Sequence, residues 1–168
     1  MATNFQALSF RVITLILFYF WYLPSFGQDT TLLNTNKKIV TRYFDEAINR
    51  QKLNRMEEFF SPDYLWHQMN GKDVHSSQDS SHISALRSLF TAIPDVHYAI
   101  DQVIAEGDMV ALNTTATGTA KSEMFGLPTG QKKVRVKQMF FFRLKDNKIT
   151  EEWEVVDVDG LMAQLKKQ

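Results

Sequence analysis

The residues best suited to chemistry in this sequence are four acids in one short run, TEEWEVVD: Glu151, Glu152, Glu154 and Asp157. Ile149, Trp153, Val155 and Val156 surround them, a β-branched and aromatic setting that reads as a strand. Successive side chains on a strand point to opposite faces, so some of these acids must face whatever the sheet encloses. A carboxylate among apolar side chains has a raised pKa, because burial disfavours its charged form. Such a group can take a proton from the carbon beside a carbonyl, or activate a water. Glu154 is the strongest candidate for that role. His67, in YLWHQMNG, is a second: it could hydrogen-bond Glu154 or orient a substrate, or it could simply cap the chain beside Trp66. Gln138 sits in an apolar alternation and needs a hydrogen-bond partner if buried.

The acids are carried by a hairpin. Val134, Val136, Phe140, Phe141 and Phe142 make a long first strand, and Asp146-Asn147-Lys148 supplies a turn, since Asp and Asn tolerate the positive φ that hairpin turns need. Two registers are open. A three-residue loop with a bulge sets Phe140 opposite Glu154, Phe142 opposite Glu152 and Gln138 opposite Val156. A two-residue loop shifts the pairing by one and turns the other set inward.

Composition narrows the alternatives. The chain has 168 residues, the size of one domain, with 19 basic and 19 acidic side chains. That balance leaves no electrostatic footprint for nucleic acid. With no Cys there is no disulfide, thiolate metal site or cysteine nucleophile. The four His (67, 75, 82 and 97) form no HxH or HExxH pattern, so no metal is expected. His75, His82 and His97 read as loop, helix-surface and strand-start residues. The 13 Phe are enough for a large core or an apolar cavity.

The N-terminus is a separate object. Arg11 precedes an apolar run, Val12 to Leu23, followed by Pro24-Ser25-Phe26-Gly27. That is the pattern of a secretory signal peptide, residues 1–27. The run falls short of the about 20 residues of a spanning helix, although an uncleaved anchor is the rival reading. A secreted or periplasmic protein is expected, with no membrane association after cleavage. Residues 28–35 read as a tether and 36–168 as the folded domain.

Three helical patterns come first. Thr35 or Asn36 is placed to cap one that runs to about Gln51, with Ile39, Val40, Tyr43, Phe44, Ala47 and Ile48 on one stripe. Leu53 to Phe60 is a second, capped by Asn54 and ended at Ser61-Pro62-Asp63, before a short strand from Tyr64 to Gln68. The third buries Ile83, Leu86, Leu89 and Phe90 and stops at Pro94. From Val96 the period becomes two, through Ala105, a turn at Glu106-Gly107-Asp108, and Met109 to Ala120. A last short helix, Gly160 to Lys167, takes Asp159 as its cap. Helices followed by a meander of strands predict an α+β domain, a curved antiparallel sheet wrapped around three N-terminal helices.

Several words of this sequence, in this order, resemble the SnoaL-like polyketide cyclase (ester cyclase) family of the nuclear-transport-factor-2-like superfamily. They are KKIVTRYFDEAINRQKLNRMEEFFSPDY, FTAIPDVHYAIDQVIAEGDMVA, GTAKSEMFGLPTGQKKV and FFFRLKDNKITEEWEVVDVDGLMAQL. The resemblance implies a cone-shaped fold with an apolar cavity and no cofactor. It also implies a carboxylate in the last strand as general acid/base of an intramolecular aldol closure, faced by a His on the preceding strand. Aligning the hairpin without gaps puts that carboxylate at Glu154 and the His position at Phe140, and favours the bulged register. The expected function is a small-molecule enzyme using Glu154, with His67, on an apolar carbonyl-bearing substrate. Gln138, Phe140, Phe142, Glu152 and Trp66 would make the substrate contacts. The alternative is a binding module on the same fold without chemistry. The superfamily also implies a homodimer through the outer sheet face, where Met139, Phe141 and Trp153 would lie.

Overall fold

The computed structural model describes residues 29–75, 81–124 and 126–166. The signal-peptide reading of residues 1–27 lies outside them. Helix α1 is Thr30–Arg42, and it continues as a wider π-helical stretch, Tyr43–Ile48. It begins earlier than Asn36, so most of the expected tether is helical. Asp29 is the reason: its carboxylate accepts from the backbone N–H of Thr31 (2.9 Å) and Leu32 (3.3 Å), groups that have no partner inside a helix. Asn36 is buried instead of capping, and its Nδ2 donates to the Gly107 carbonyl in a strand turn (3.4 Å). The inward stripe of α1 is as the spacing predicts: Val40, Tyr43, Phe44, Ala47 and Ile48 are all buried.

A 3₁₀ turn, Leu53–Arg55, leads into the short helix α2, Met56–Phe59, with no side-chain cap from Asn54. Strand β1, Phe60–His67, starts four residues before Tyr64. Pro62 does not prevent this, because the pairing of β1 is interrupted between Phe60 and Leu65. Then come β2 (Asp73–His75), α3 (Ser81–Ala92), β3 (His97–Glu106), β4 (Met109–Ala120), β5 (Lys132–Lys145), β6 (Lys148–Val156) and α4 (Val158–Lys166). The cap of α4 is Asp157, whose Oδ1 accepts from the Gly160 N–H (2.9 Å), and not Asp159.

The six strands form one curved sheet in the order β2-β1-β6-β5-β4-β3. The α+β wrap is as expected, but the sheet is mixed. The chain returns through β3, β4 and β5 before β6 slots in beside β1, and the two run parallel. The β5–β6 register sets Phe140 opposite Glu154, Phe142 opposite Glu152 and Gln138 opposite Val156. Its cause differs from the expected three-residue loop. Asp146 (φ 51°) and Asn147 (φ 60°) form a two-residue turn between Lys145 and Lys148. The register then shifts at Arg143/Leu144, where Thr150 is the extra residue on β6. Its hydroxyl donates to the Arg143 carbonyl (3.2 Å).

Alternation along β5 is strict: Val134, Val136, Gln138, Phe140, Phe142 and Leu144 are buried, and Lys133, Arg135, Lys137, Met139 and Phe141 are exposed. Helix α3 is held at its C-terminal end. Asp95 accepts from the Thr119 backbone N–H (2.6 Å) and hydroxyl (2.8 Å), and the Lys121 N–H donates to the Ala92 carbonyl (2.8 Å). The approach is close enough to require glycine on β4. A Cβ at Gly118 would stand 2.3 Å from Ile93 Cγ2 and 3.2 Å from Val96 Cα. Gly118→Ala is therefore expected to cost about 1–3 kcal/mol in urea unfolding, as overpacking does.

Candidate active site

The register decides which acids are enclosed. Glu152 and Glu154 follow Phe142 and Phe140 to the inner face, while Glu151 and Trp153 go to the outer one. On the other side of β6, the parallel pairing sets Trp66 beside Glu152 and His67 beside Trp153. The inner face looks onto a cavity of about 540 Å³, in the range that suits small organic ligands. One wall comes from the α1 extension: Tyr43, Phe44 and Ile48. A second is helix α3, with His82, Ala85, Leu86, Ser88 and Leu89. The sheet supplies Trp66, Tyr98, Gln138, Phe140 and Val156 with both acids.

Glu152 is buried, and its Oε2 accepts from the Tyr64 hydroxyl at 2.6 Å. Burial pushes its carboxyl up to about 8. The charge of Glu154 adds to this, while the Tyr64 hydrogen bond opposes it. Burial alone pushes Glu154 up to about 7. Its carboxylate makes no hydrogen bond or ion pair with any described residue. The basic side chains that could have paired with it are on the outer face, where Lys137 binds Asp101 (2.7 Å). Near neutral pH the site thus holds a protonated Glu152 and a Glu154 divided between its two forms. Gln138 is 8% exposed, and its Oε1 has no partner among the described residues.

His82 is the functional residue that sequence reasoning placed on the surface. Its side chain is 13% exposed. The ring stacks on Tyr64 (centroids 5.4 Å apart), lies beside Trp66 (5.5 Å) and meets Phe60 edge-on (5.5 Å). Its Nε2 is 3.9 Å from Glu152 Oε2, and burial lowers its pKa to about 4, so the ring is neutral. The signal was present in the spacing: His82, Leu86 and Leu89 stand at i, i+4 and i+7, one inward stripe. Tyr43, which the spacing puts on the inward stripe of α1, and Tyr98 on β3 also line the cavity, and Tyr64 reaches Glu152.

Two expected site residues are elsewhere. His67 does not approach Glu154. Strand alternation turns it outward, where it stacks on Trp153 (4.3 Å, 8°) and its ring nitrogens meet Asp73 (2.9 Å) and Glu151 (3.1 Å). Phe142 is fully buried behind Phe140, stacked on it at 5.8 Å and packed against Tyr43 and Phe44, so it supports the wall without lining it. Trp66, Gln138, Phe140, Glu152 and Glu154 all line the cavity. No group of three or more His, Asp or Glu among the described residues could hold a metal ion.

The family model for SnoaL-like polyketide cyclase matches residues 38–165, and the chain belongs to that family of small-molecule cyclase-type proteins. Solved structures agree in fold. A SnoaL-like protein of Jannaschia sp. CCS1, assigned as a polyketide cyclase, superposes with TM-score 0.74 at 23% identity, covering 84% of this chain and 99% of that one. AclR of Streptomyces galilaeus, assigned as a hydroxylase, gives 0.73 at 25% identity over 81% of this chain and 87% of that one. IdmH of Streptomyces antibioticus, assigned as a polyketide cyclase, gives 0.71 at 20% over 79% and 99%. Among curated proteins none matches this chain.

The raised carboxyls carry a stability cost with a defined sign. Below the ordinary value of 4.5 both acids are protonated, folded or unfolded, and neither costs anything. As the pH rises from there, only the unfolded chain ionises freely, so stability falls until the folded groups ionise, about 7 to 8. Glu154→Gln is expected to unfold at higher urea than the wild type at pH 8, by about 1–3 kcal/mol. The gap should close at pH 4.

Proposed function

We propose that the chain is an acid/base enzyme acting on a small, largely apolar, carbonyl-bearing molecule enclosed in this cavity. The observation that carries the reading is Glu154: an enclosed carboxylate with no partner among the described residues, its pKa raised by burial to about 7. Such a group takes a proton well because its pKa is close to the working pH. Glu152 complements it. Kept protonated by burial and held by Tyr64, it can donate a hydrogen bond to a carbonyl oxygen as negative charge develops there. Glu154 removes the proton from the α-carbon, and the C–H electron pair becomes the enolate. The enolate carbon then attacks a second carbonyl of the same molecule, a carbon–carbon bond closes the ring, and the new alkoxide takes the proton back from Glu154. Trp66, Phe140 and Gln138 hold the skeleton.

Two of the similar structures are assigned as polyketide cyclases and one as a hydroxylase, which supports small-molecule chemistry without choosing the substrate. Phe140 stands where the resemblance places a His. It favours one second reading, a cavity that binds without turning over. The probe that separates the two is 1-tetralone in deuterium oxide, with α-proton exchange followed by NMR. Wild type is expected to accelerate exchange, and Glu154→Gln to lose about 100-fold or more of that acceleration. Equal rates in the two proteins overturn the role of Glu154. Binding without any exchange favours the second reading.

The reading includes export directed by residues 1–27 and a homodimer closed over the outer sheet face. Met139, Phe141 and Val155 are 53%, 46% and 46% exposed there, side by side across β5 and β6. Sedimentation velocity at micromolar concentration should give a dimer, and Phe141→Lys a monomer with unchanged circular dichroism.

A further inference from the structure

Among the described residues the cavity lining is acidic and supplies no Lys or Arg. Glu152 and Glu154 open onto one chamber, and none of the described residues lining it is a Lys or Arg. The basic side chains beside them on the sheet are committed on the far face: Lys137 to Asp101, and Arg143 to Asp108 and Glu151. Buried carboxylates in proteins are ordinarily matched by a nearby cation, because an unpaired buried charge is expensive. Here the one imidazole among the described lining residues is His82, 3.9 Å from Glu152 and itself desolvated among Phe60, Tyr64 and Trp66.

Two further features point the same way. The Gln138 side chain is more than nine-tenths buried, lines the chamber, and leaves Oε1 without a donor. Among the described residues the lining therefore presents two acceptors without a donor, the Glu154 carboxylate and the Gln138 amide oxygen. Around them stand the rings of Tyr43, Phe44, Trp66, Tyr98 and Phe140, whose faces attract cations.

We propose that the molecule this cavity takes carries a basic nitrogen: a protonated amine on a hydrophobic ring skeleton, its N–H groups directed to Glu152, Glu154 and Gln138. The inference rests on reading this chamber as the substrate site, and it adds the class of substrate. Carboxylates, phosphates and sulfates are opposed by the Glu154 charge and meet no Lys or Arg among the described lining residues. Binding is then linked to the titration of Glu154, since a cation holds its carboxylate in the ionised form, while Glu152 stays protonated against Tyr64. The other titratable groups facing the two acids are Tyr43 from α1, Tyr64 from β1, His82 from α3 and Tyr98 from β3. Burial holds the three tyrosines protonated and His82 neutral across the neutral range, so the pH dependence belongs to Glu154.

Three ligands of one shape test this: 2-aminotetralin, 2-tetralol and tetralin-2-carboxylate, cation, neutral and anion at pH 7. Calorimetric titration of the full chain at fixed salt should show the amine binding about tenfold or more tighter than the alcohol, with the carboxylate weakest. Amine affinity should rise from pH 6 to pH 8 while alcohol affinity does not. The double variant Glu152→Gln, Glu154→Gln should lose both the preference and the pH dependence. Its fold would be checked by circular dichroism, and each single variant should give part of the loss. The alcohol or the carboxylate binding as tightly as the amine at pH 8 overturns the proposal, and so does an amine preference that survives in the double variant. The proton-exchange test of Glu154 uses a neutral ketone, so it stands or falls separately.

Discussion

The pairing of β5 with β6 is the constraint on which the rest depends. Side chains on a strand alternate, so slippage of β6 by one residue against β5 would turn its other face inward. Glu152 and Glu154 would then meet solvent, and Glu151, Trp153 and Val155 would take their places beside Phe140 and Phe142. The Asp146-Asn147 turn alone does not set the observed pairing. The added residue at Thr150 restores it, and its hydroxyl bonds back to Arg143 across the ladder. A local irregularity of one residue therefore chooses which acids are enclosed.

Enclosing them has consequences in both energy and function. Most of the inner face is a conventional aromatic core: Phe44, Phe140 and Phe142 pack ring against ring, with Tyr43 and Tyr98 around them. The acids sit where that core stops and the cavity begins. Glu152 has Tyr64 to satisfy one oxygen, and Glu154 has no partner among the described residues. A fold optimised only for stability would place apolar side chains at both positions. Their presence is a departure from that optimum, and it is what motivates the proposed chemistry.

Helix α3 completes the chamber. Its latch to β4 through Asp95, Thr119 and the close contact at Gly118 fixes one end, and its inward stripe carries His82 to within 3.9 Å of Glu152. The helix also supplies polarity that the strands do not. Where the resemblance implies a strand His facing the acid, this chain has Phe140, and its cavity imidazole comes from α3.

The sequence by itself determined the long elements, the α+β order and the inward stripes, because period and turn chemistry are local properties; the segment read as a loop around His75 is strand β2, which forms only by pairing with β1. It also determined that acids must share a strand with apolar residues, which makes an enclosed carboxylate unavoidable in either register. Tertiary structure decided everything that depends on distance along the chain. Asp29, not Asn36, starts α1 because Asn36 is needed against Gly107, 71 residues away. The sheet is mixed because β6 returns beside β1, a neighbour that no local pattern specifies. That same parallel pairing sends His67 outward and Trp66 inward, and brings Tyr64 to Glu152, 88 residues apart. His82 lines the cavity because a helix face acquires meaning only from what it packs against. Burial, and with it the titration of Glu152, Glu154 and His82, belongs to the assembled chamber and to no stretch of sequence.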